Sequence, residues 1–203
     1  MTSASAQPQI PTEVFDTEEL LHLAVLDIQR GHHDDAIEKL KRGLALQPDN
    51  AKMVFLLGAE HAEVGMTDRA IEEMIAAVAI DPQLAIAHFQ LGLLYLLYRN
   101  DVTQAGIAWS ALDGLDDAAS YVAFKSGLLR LSEGDAAGCI RDLDRGLQLN
   151  TTNPSLNREM TKIRERIRQT QQDKQAAEGQ SATNASARLL LDTYKNPADS
   201  EGP

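Results

Sequence analysis

An apolar pattern that returns at a nearly constant spacing constrains this chain more than any other feature of its sequence. The pattern fills four consecutive windows, 17–50, 51–84, 85–119 and 120–153, of which three are 34 residues long and one is 35. A fixed period of this size indicates one supersecondary unit stacked in tandem, because a single unit cannot bury its own apolar face. In the window 51–84 the pattern positions are Val54, Leu57, Gly58, His61, Gly65, Ala70, Met74, Ala77 and Pro82.

Within each window the spacing predicts two helices joined by a short turn. In the first window Leu20 and Ala24 are four residues apart, so they share one face of a helix. Gly31 suits the left-handed position that ends a helix, and Pro48 cannot continue the second helix. Ala24 and Ala36 supply the small side chains that two crossing helices need.

The pattern resembles the tetratricopeptide repeat, a unit of two antiparallel helices. The resemblance implies an all-α fold, a tetratricopeptide-like helix-pair solenoid wound as a right-handed superhelix, with the four windows as its repeats. The third repeat departs from the pattern, since one extra residue lies in the turn 99–103 and the terminal proline is missing. We therefore expect a looser junction there than between the first two repeats.

A single apolar stripe predicts a C-terminal capping helix at 155–177. Leu156, Met160, Ile163 and Ile167 recur at i, i+4, i+7 and i+11 among charged residues. A solenoid needs such a helix, because its last repeat must be covered on one side while the cover faces water on the other.

The two ends lie outside the repeats. Residues 1–15 are rich in small and polar side chains and are predicted to be disordered. Residues 178–203 are predicted to form a flexible tail that carries a short apolar helical segment at 187–196. Leu190, Leu191 and Tyr194 share one face of that segment. We expect this face to dock on the chain's own body, on a second copy in self-association, or on a partner; a chance apolar run is the alternative.

Charge and composition exclude several classes of partner. The net charge is −11, and residues 1–154 alone carry −12. Nucleic-acid binding requires clustered Lys and Arg, so we expect none. The longest apolar run, 91–98, is far short of the ~20 residues of a membrane span, which predicts no membrane insertion. Without a signal peptide at the N-terminus, the expected location is cytoplasmic.

The sequence predicts no catalytic residue, no metal and no cofactor. His61 and His88 hold pattern positions at helix packing sites, and the turn with His32 and His33 lacks a second liganding element. Cys139 stands where the pattern needs a small residue, so we expect a buried, inert thiol. The sequence has no Gly-rich phosphate loop and no nucleophile elbow, and we do not expect an enzyme.

The resemblance also implies where a partner binds. In tetratricopeptide solenoids the first helix of each repeat lines a concave groove, at the second, fifth, sixth, ninth, twelfth and thirteenth positions. Carried onto this sequence, those positions are mostly apolar, so the expected partner is a protein or peptide with an apolar segment. The predicted groove residues are Leu21, Val25, Phe55, Leu56, Ala59, Phe89, Leu93, Leu96, Phe124 and Leu128, with the three phenylalanines as anchors.

Two functions fit these expectations. The first is a non-catalytic interaction module or adaptor that holds an apolar peptide or helix in its groove, autoregulated by the segment 187–196. The alternative is a cytoplasmic chaperone of a secreted or membrane-active client, because small acidic proteins of this kind resemble type III secretion chaperones. Another alternative is that the groove positions pack against neighbouring helices and no open groove exists.

Overall fold

A computed structural model describes residues 15–176, apart from the side chains of 174–176, and every regular element in this part of the chain is helical. Four helix pairs follow one another and a longer ninth helix closes the series, which confirms the predicted all-α helix-pair solenoid with a C-terminal capping helix. The helices are α1 (Thr17–Arg30), α2 (His33–Leu46), α3 (Ala51–Glu63), α4 (Thr67–Ile80), α5 (Ala85–Tyr98), α6 (Val102–Ser110), α7 (Ala119–Ser132), α8 (Ala136–Leu149) and α9 (Pro154–Ala176), with a 3₁₀ turn at Ala111–Gly114.

The turns inside the repeats follow one local rule with one exception. Gly31, Gly65 and Gly134 follow the first helix of repeats 1, 2 and 4 with φ of 75°, 82° and 87°. In the third repeat Asn100 takes the left-handed conformation with φ of 52°, which Asn tolerates better than most residues. The extra residue predicted for this turn is therefore accommodated at Asn100.

The third repeat is also irregular in its second helix. α6 has only nine residues and passes into the 3₁₀ turn. Lys125 of α7 bridges the break, because its Nζ donates to the carbonyl oxygen of Trp109 at 3.1 Å and lies 2.7 Å from Oδ1 of Asp113. The ammonium thus satisfies backbone that the shortened helix leaves unpaired, and Lys125 is itself nearly buried.

The largest side chains of the core gather in repeats 3 and 4. The ring of Phe89 has its centroid 6.0 Å from that of Trp109, 5.4 Å from Tyr121 and 6.0 Å from Phe124. The indole Nε1 of Trp109 donates to the carbonyl oxygen of Phe89 at 2.9 Å inside this cluster. Gly92 lies against the indole, and its lack of a side chain is what allows α5 and α6 to approach so closely.

α9 is fixed to the last repeat by a network of asparagines at its start. The buried Asn150 donates from Nδ2 to Oδ1 of Asn157 at 2.9 Å, and Asn157 donates back to the carbonyl oxygen of Asn150 at 2.8 Å. Asn153 caps the helix by accepting from the backbone N–H of Leu156 at 3.0 Å. These bonds set the direction in which α9 leaves α8.

Two arginines hold α9 further along its length. Arg164 and Arg168 both donate to Asp144 of α8, at 2.5 Å and 3.0 Å.

Within the range 15–176, no helix is both long enough and apolar enough to cross a membrane.

Candidate functional site

The predicted groove has an accessible part, and it lies on the first helices of repeats 1 and 2. Leu21 and Val25 of α1 and Leu56 and Ala59 of α3 are half-buried, so each presents part of its apolar surface to solvent. Phe55 of α3 is 8% exposed and belongs to the core cluster of repeat 2. The four half-buried residues are the part of the predicted groove that a partner could contact without unpacking the protein.

The other five predicted groove residues lie inside the core. Phe89, Phe124 and Leu128 are 0% exposed, and Leu93 and Leu96 are nearly so. Phe124 packs directly on the backbone of α8, since a Cβ added at Gly146 would lie 2.3 Å from its ring. The expectation that Phe89 and Phe124 are exposed anchors is therefore corrected, because both rings fill space between helices.

α9 belongs to the same core as these buried residues. Its stripe of Leu156, Met160, Ile163 and Ile167 is at most 3% exposed and forms one core cluster with the buried groove residues of α5 and α7. At the equivalent positions of α1 and α3, Leu21, Val25 and Ala59 stay half-exposed, whereas Phe55 is buried. The predicted groove residues are therefore buried in repeats 3 and 4, and most of those in repeats 1 and 2 are half-exposed.

A small cavity of about 50 Å³ borders α3, α5 and α9. Ala59 and Glu63 of α3, Gln90 of α5 and Glu159 of α9 are among its walls. Tyr98 lies there too, and burial raises the pKa of its phenol, followed by the negative charges of Glu63 and Glu159. Glu63 and Glu159 therefore border the same cavity as Tyr98.

Two histidine–carboxylate pairs link the first helices to their neighbours. Nδ1 of His33 lies 2.7 Å from Oε2 of Glu60, which joins repeat 1 to repeat 2, and Nδ1 of His61 lies 2.6 Å from Oε2 of Glu73. His61 is buried between helices, as its pattern position predicted. Burial raises the pKa of Glu60 more than the hydrogen bond and charge of His33 lower it.

We expect Glu60 to make stability fall as pH rises. Because the pKa of Glu60 in the folded protein lies above the usual 4.5, the native state binds the proton more tightly than the unfolded state does. The resulting stabilisation is fully present below the unfolded pKa and is lost as pH rises through the folded pKa. Relative to Glu60→Gln, the wild type should lose free energy of unfolding as pH increases above 4.5, by at most about 1.4 kcal/mol per pH unit. Urea titrations between pH 4 and 7 measure this difference. Glu72 is exposed, so the difference in free energy of unfolding between the wild type and Glu72→Gln should not change with pH. An equal pH dependence for both variants would contradict the assignment.

One carboxylate beside the turn that holds His32 was not predicted from the sequence. Carboxylate oxygens of Asp27 and Asp35 and a ring nitrogen of His32 all lie within 4.8 Å of one another, a group that could hold a metal ion. Asp27 comes from the last turns of α1, where the pattern more often has an aromatic ring, and no sequence signal marked it as a ligand. Nζ of Lys39 already lies 2.7 Å from Oδ2 of Asp27. Within this group, Lys39 and Asp27 therefore form an ion pair between α2 and α1.

Cys139 is fully buried in α8, and burial, followed by Asp142 and Asp135, raises the pKa of its thiol to about 12. At pH 8 roughly one thiol in ten thousand is then ionised, and the thiolate is the reactive species. We expect an aromatic disulfide reagent to leave the native protein unlabelled over an hour and to label one thiol per chain in guanidinium. Rapid labelling without denaturant would contradict this environment.

The remaining predicted site residues cannot be placed. Leu190, Leu191 and Tyr194 of the predicted docking segment lie outside the described residues, as do residues 1–14.

Comparison with known proteins supports the same fold. No protein-family model matches the chain. A TPR repeat-containing thioredoxin of Arabidopsis thaliana is 31% identical over 84 residues, which is 41% of this chain and 12% of that protein. The chain thus spans about an eighth of the length of this relative.

Two solved structures share the arrangement of helices. A thermophilic TPR protein of Thermus thermophilus has a TM-score of 0.58 and 20% identity, over 88% of this chain and 98% of that one. PilF of Pseudomonas aeruginosa has a TM-score of 0.55 and 22% identity, over 88% of each chain. At such identities the likeness concerns the fold alone. For the fold, the resemblance to tetratricopeptide repeats inferred from the sequence is confirmed.

Proposed function

We propose that this tetratricopeptide-type solenoid is a non-catalytic protein-interaction module, or adaptor, that binds an apolar peptide or helix in the open part of its concave groove. The observation that carries the proposal is a set of half-exposed apolar side chains on α1 and α3, Leu21, Val25, Leu56 and Ala59. The residues equivalent to Leu21, Val25 and Ala59 in repeats 3 and 4 are at most 2% exposed. A contiguous apolar surface on a protein usually marks an interaction site.

The depth of the surface suits a helix or an extended segment better than a small ligand. The small cavity beside it, of about 50 Å³, is well below the ~300 Å³ at which small-molecule pockets begin. A shallow apolar trough instead accepts side chains at regular spacing from a partner element. We therefore assign the open groove to a protein partner.

The tail remains part of the proposal as a regulator. Residues 187–196, with Leu190, Leu191 and Tyr194, supply an apolar face that can cover the open groove in the same chain or in a second copy. Deletion of 179–203 should then raise the affinity for partner peptides or increase dye binding. If neither changes, the tail has no such role.

Because the three phenylalanines are buried, a half-exposed groove residue gives the better test of the proposal. Leu56→Glu places a charge on the open surface, and Ile75→Glu places the same charge on α4, where Ile75 is 46% exposed. Affinity purification followed by quantitative mass spectrometry should recover a partner with the wild type and Ile75→Glu, and lose it with Leu56→Glu. Loss with both variants, or with neither, would contradict the assignment. A recovered client that is secreted or membrane-active would favour the chaperone alternative over the adaptor.

A further inference from the structure

We infer that the outer face of α1 is a second interaction surface, and that its partner is a second copy of this chain whose own α1 packs on it antiparallel. The outer face consists of Glu19, Leu23, Leu26 and Arg30. These residues recur at i, i+4, i+7 and i+11, so they share one side of the helix. The inference goes beyond the proposed function, because none of the four residues belongs to the groove.

The same positions join one repeat to the one before it elsewhere in the solenoid. Leu57 of repeat 2 stands at the position of Leu23 and belongs to the core cluster of repeat 1. Leu91 and Leu94 of repeat 3 stand at the positions of Leu23 and Leu26 and belong to the core cluster of repeat 2. All three are at most 6% exposed. An apolar side chain at either position therefore packs against a neighbouring helix pair where one is present.

α1 has no such neighbour in the described part of the chain, in which it is the first helix. Leu23 and Leu26 are half-buried, and neither is among the residues that pack against the core clusters of this part. At the opposite end of the solenoid, α9 covers α8. A terminal repeat needs a polar outer face, whereas α1 presents two leucines there. This end of the solenoid therefore offers an apolar face to another molecule.

Repeat 4 shows that full burial at these positions requires a complete preceding helix. The helix before it, α6, has nine residues, whereas α2 and α4 have 14 each. Ser126 and Leu129 stand at the positions of Leu23 and Leu26, and both are half-buried. The half-burial of Leu23 and Leu26 therefore matches positions that no complete helix covers.

The charges of the outer face favour a second copy as the partner. In an antiparallel pair centred between Leu23 and Leu26, each Leu23 lies opposite Leu26 of the other copy, and each Glu19 lies opposite Arg30. Arg30 and Glu19 are exposed. Oε2 of Glu19 accepts from the backbone N–H of Asp16, and its other oxygen can accept from a guanidinium. The face is thus complementary to itself, as a two-fold dimer interface requires.

The open groove stays accessible in such a dimer. With 3.6 residues per turn, Leu23 and Leu26 lie about 160° and about 140° around α1 from Leu21. Leu21 and Val25 therefore face away from the second copy, and the dimer carries two grooves. A partner with two apolar segments would bind both grooves more tightly than it binds one.

Analytical ultracentrifugation of the full chain tests the inference. A contact made by one helix from each copy is at the small end of specific interfaces, so we expect a Kd on the order of 10 µM. The average mass should rise from that of one chain to that of two between tenfold below and tenfold above this concentration. Leu26→Glu should weaken the dimer at least tenfold, and Ile75→Glu, on the exposed side of α4, less than twofold. A wild type that stays monomeric, or a dimer that Leu26→Glu leaves intact, would overturn the inference.

Charge exchange tests the antiparallel register with exposed residues alone. Arg30→Glu and Glu19→Arg should each weaken the homodimer at least fivefold, because each places like charges opposite each other. An equal mixture of the two variants should form a heterodimer with an affinity within threefold of the wild type, since every Arg then faces a Glu. Arg69→Glu, on the exposed start of α4, should change the affinity less than twofold. A mixture that stays as weak as its two components would overturn the register and the inference.

Two further variants separate this surface from the tail and from the groove. Deletion of 179–203 should leave the dimer unchanged, and a monomeric deletion variant would overturn the inference by assigning the contact to the tail. Leu56→Glu should also leave the dimer unchanged while it removes the partner of the groove. The proposed function and the dimer can therefore fail independently of each other.

Discussion

Replacing Gly92 by Ala should lower the free energy of unfolding by about 3 kcal/mol or more, and repeats 3 and 4 should lose their fixed packing. A Cβ at this position would lie 2.0 Å from Nε1 of Trp109, in a side chain with no exposed surface. The indole must move, which breaks its hydrogen bond to Phe89. Overpacking of a core costs about 1–3 kcal/mol, and a lost buried hydrogen bond adds about 1–3 kcal/mol. Urea denaturation followed by tryptophan fluorescence measures the change.

Gly106→Ala is the matched control for this substitution. Gly106 lies inside α6, the helix that carries Trp109, and a Cβ added there meets nothing within 4 Å. The higher helix propensity of Ala should stabilise the protein by up to about 1 kcal/mol. If Gly92→Ala and Gly106→Ala changed stability alike, the close approach of α5 and α6 at Trp109 would be contradicted.

The substitution Ile163→Asp should detach α9 and uncover the C-terminal half of the groove. Ile163 is 2% exposed in the middle of the stripe. An unpaired carboxylate buried there costs several kcal/mol. The partly buried ion pairs of Arg164 and Arg168 with Asp144 are too weak to offset that cost. We expect a loss of about 3–5 kcal/mol in stability and several-fold higher fluorescence of an apolar dye, because Leu93 and Leu128 become accessible.

Arg166→Asp is the control for this second prediction. Arg166 is exposed on the outer side of the same helix, and surface substitutions of this kind usually change stability by no more than about 0.5 kcal/mol. Unchanged dye binding in Ile163→Asp would mean that α9 does not cover the groove residues.

Much of the fold could be predicted because each helix pair is a local unit. The spacing of Leu20 and Ala24 depends on helix geometry alone, and so does the left-handed Gly31 that ends α1. The capping box of Asp16 and Glu19 is also encoded within four residues, and the structure has both of its hydrogen bonds. Local rules of this kind do not depend on how the repeats are arranged around each other.

The groove was predicted less completely because its accessibility depends on distant contacts. The register correctly placed Phe89 and Phe124 on first helices, but it could not show that both rings pack into the core between helices. Nor could it show that Lys125 turns inward to the broken end of α6 instead of facing a partner. In both cases the deciding contact joins elements separated by an irregular junction.

The internal ion pair of Asp27 shows the same limit on a smaller scale. Asp27 occupies a position where an aromatic ring is usual, and the sequence alone makes it a simple variation. In the structure it meets His32, Asp35 and Lys39 because the turn at Gly31 folds α2 back against α1. The interaction follows from the turn and not from any motif.

Titration of the full chain with a peptide of the partner that affinity purification recovers, followed by methyl NMR, tests the central claim most directly. The account predicts shift changes at the methyl groups of the open groove, Leu21, Val25 and Leu56, which are half-buried in the free protein. Ile75 and Ile107, which are 46% and 60% exposed on the second helices, should keep their positions. Shifts confined to Ile75 and Ile107, with Leu21, Val25 and Leu56 unchanged, would contradict a groove in repeats 1 and 2.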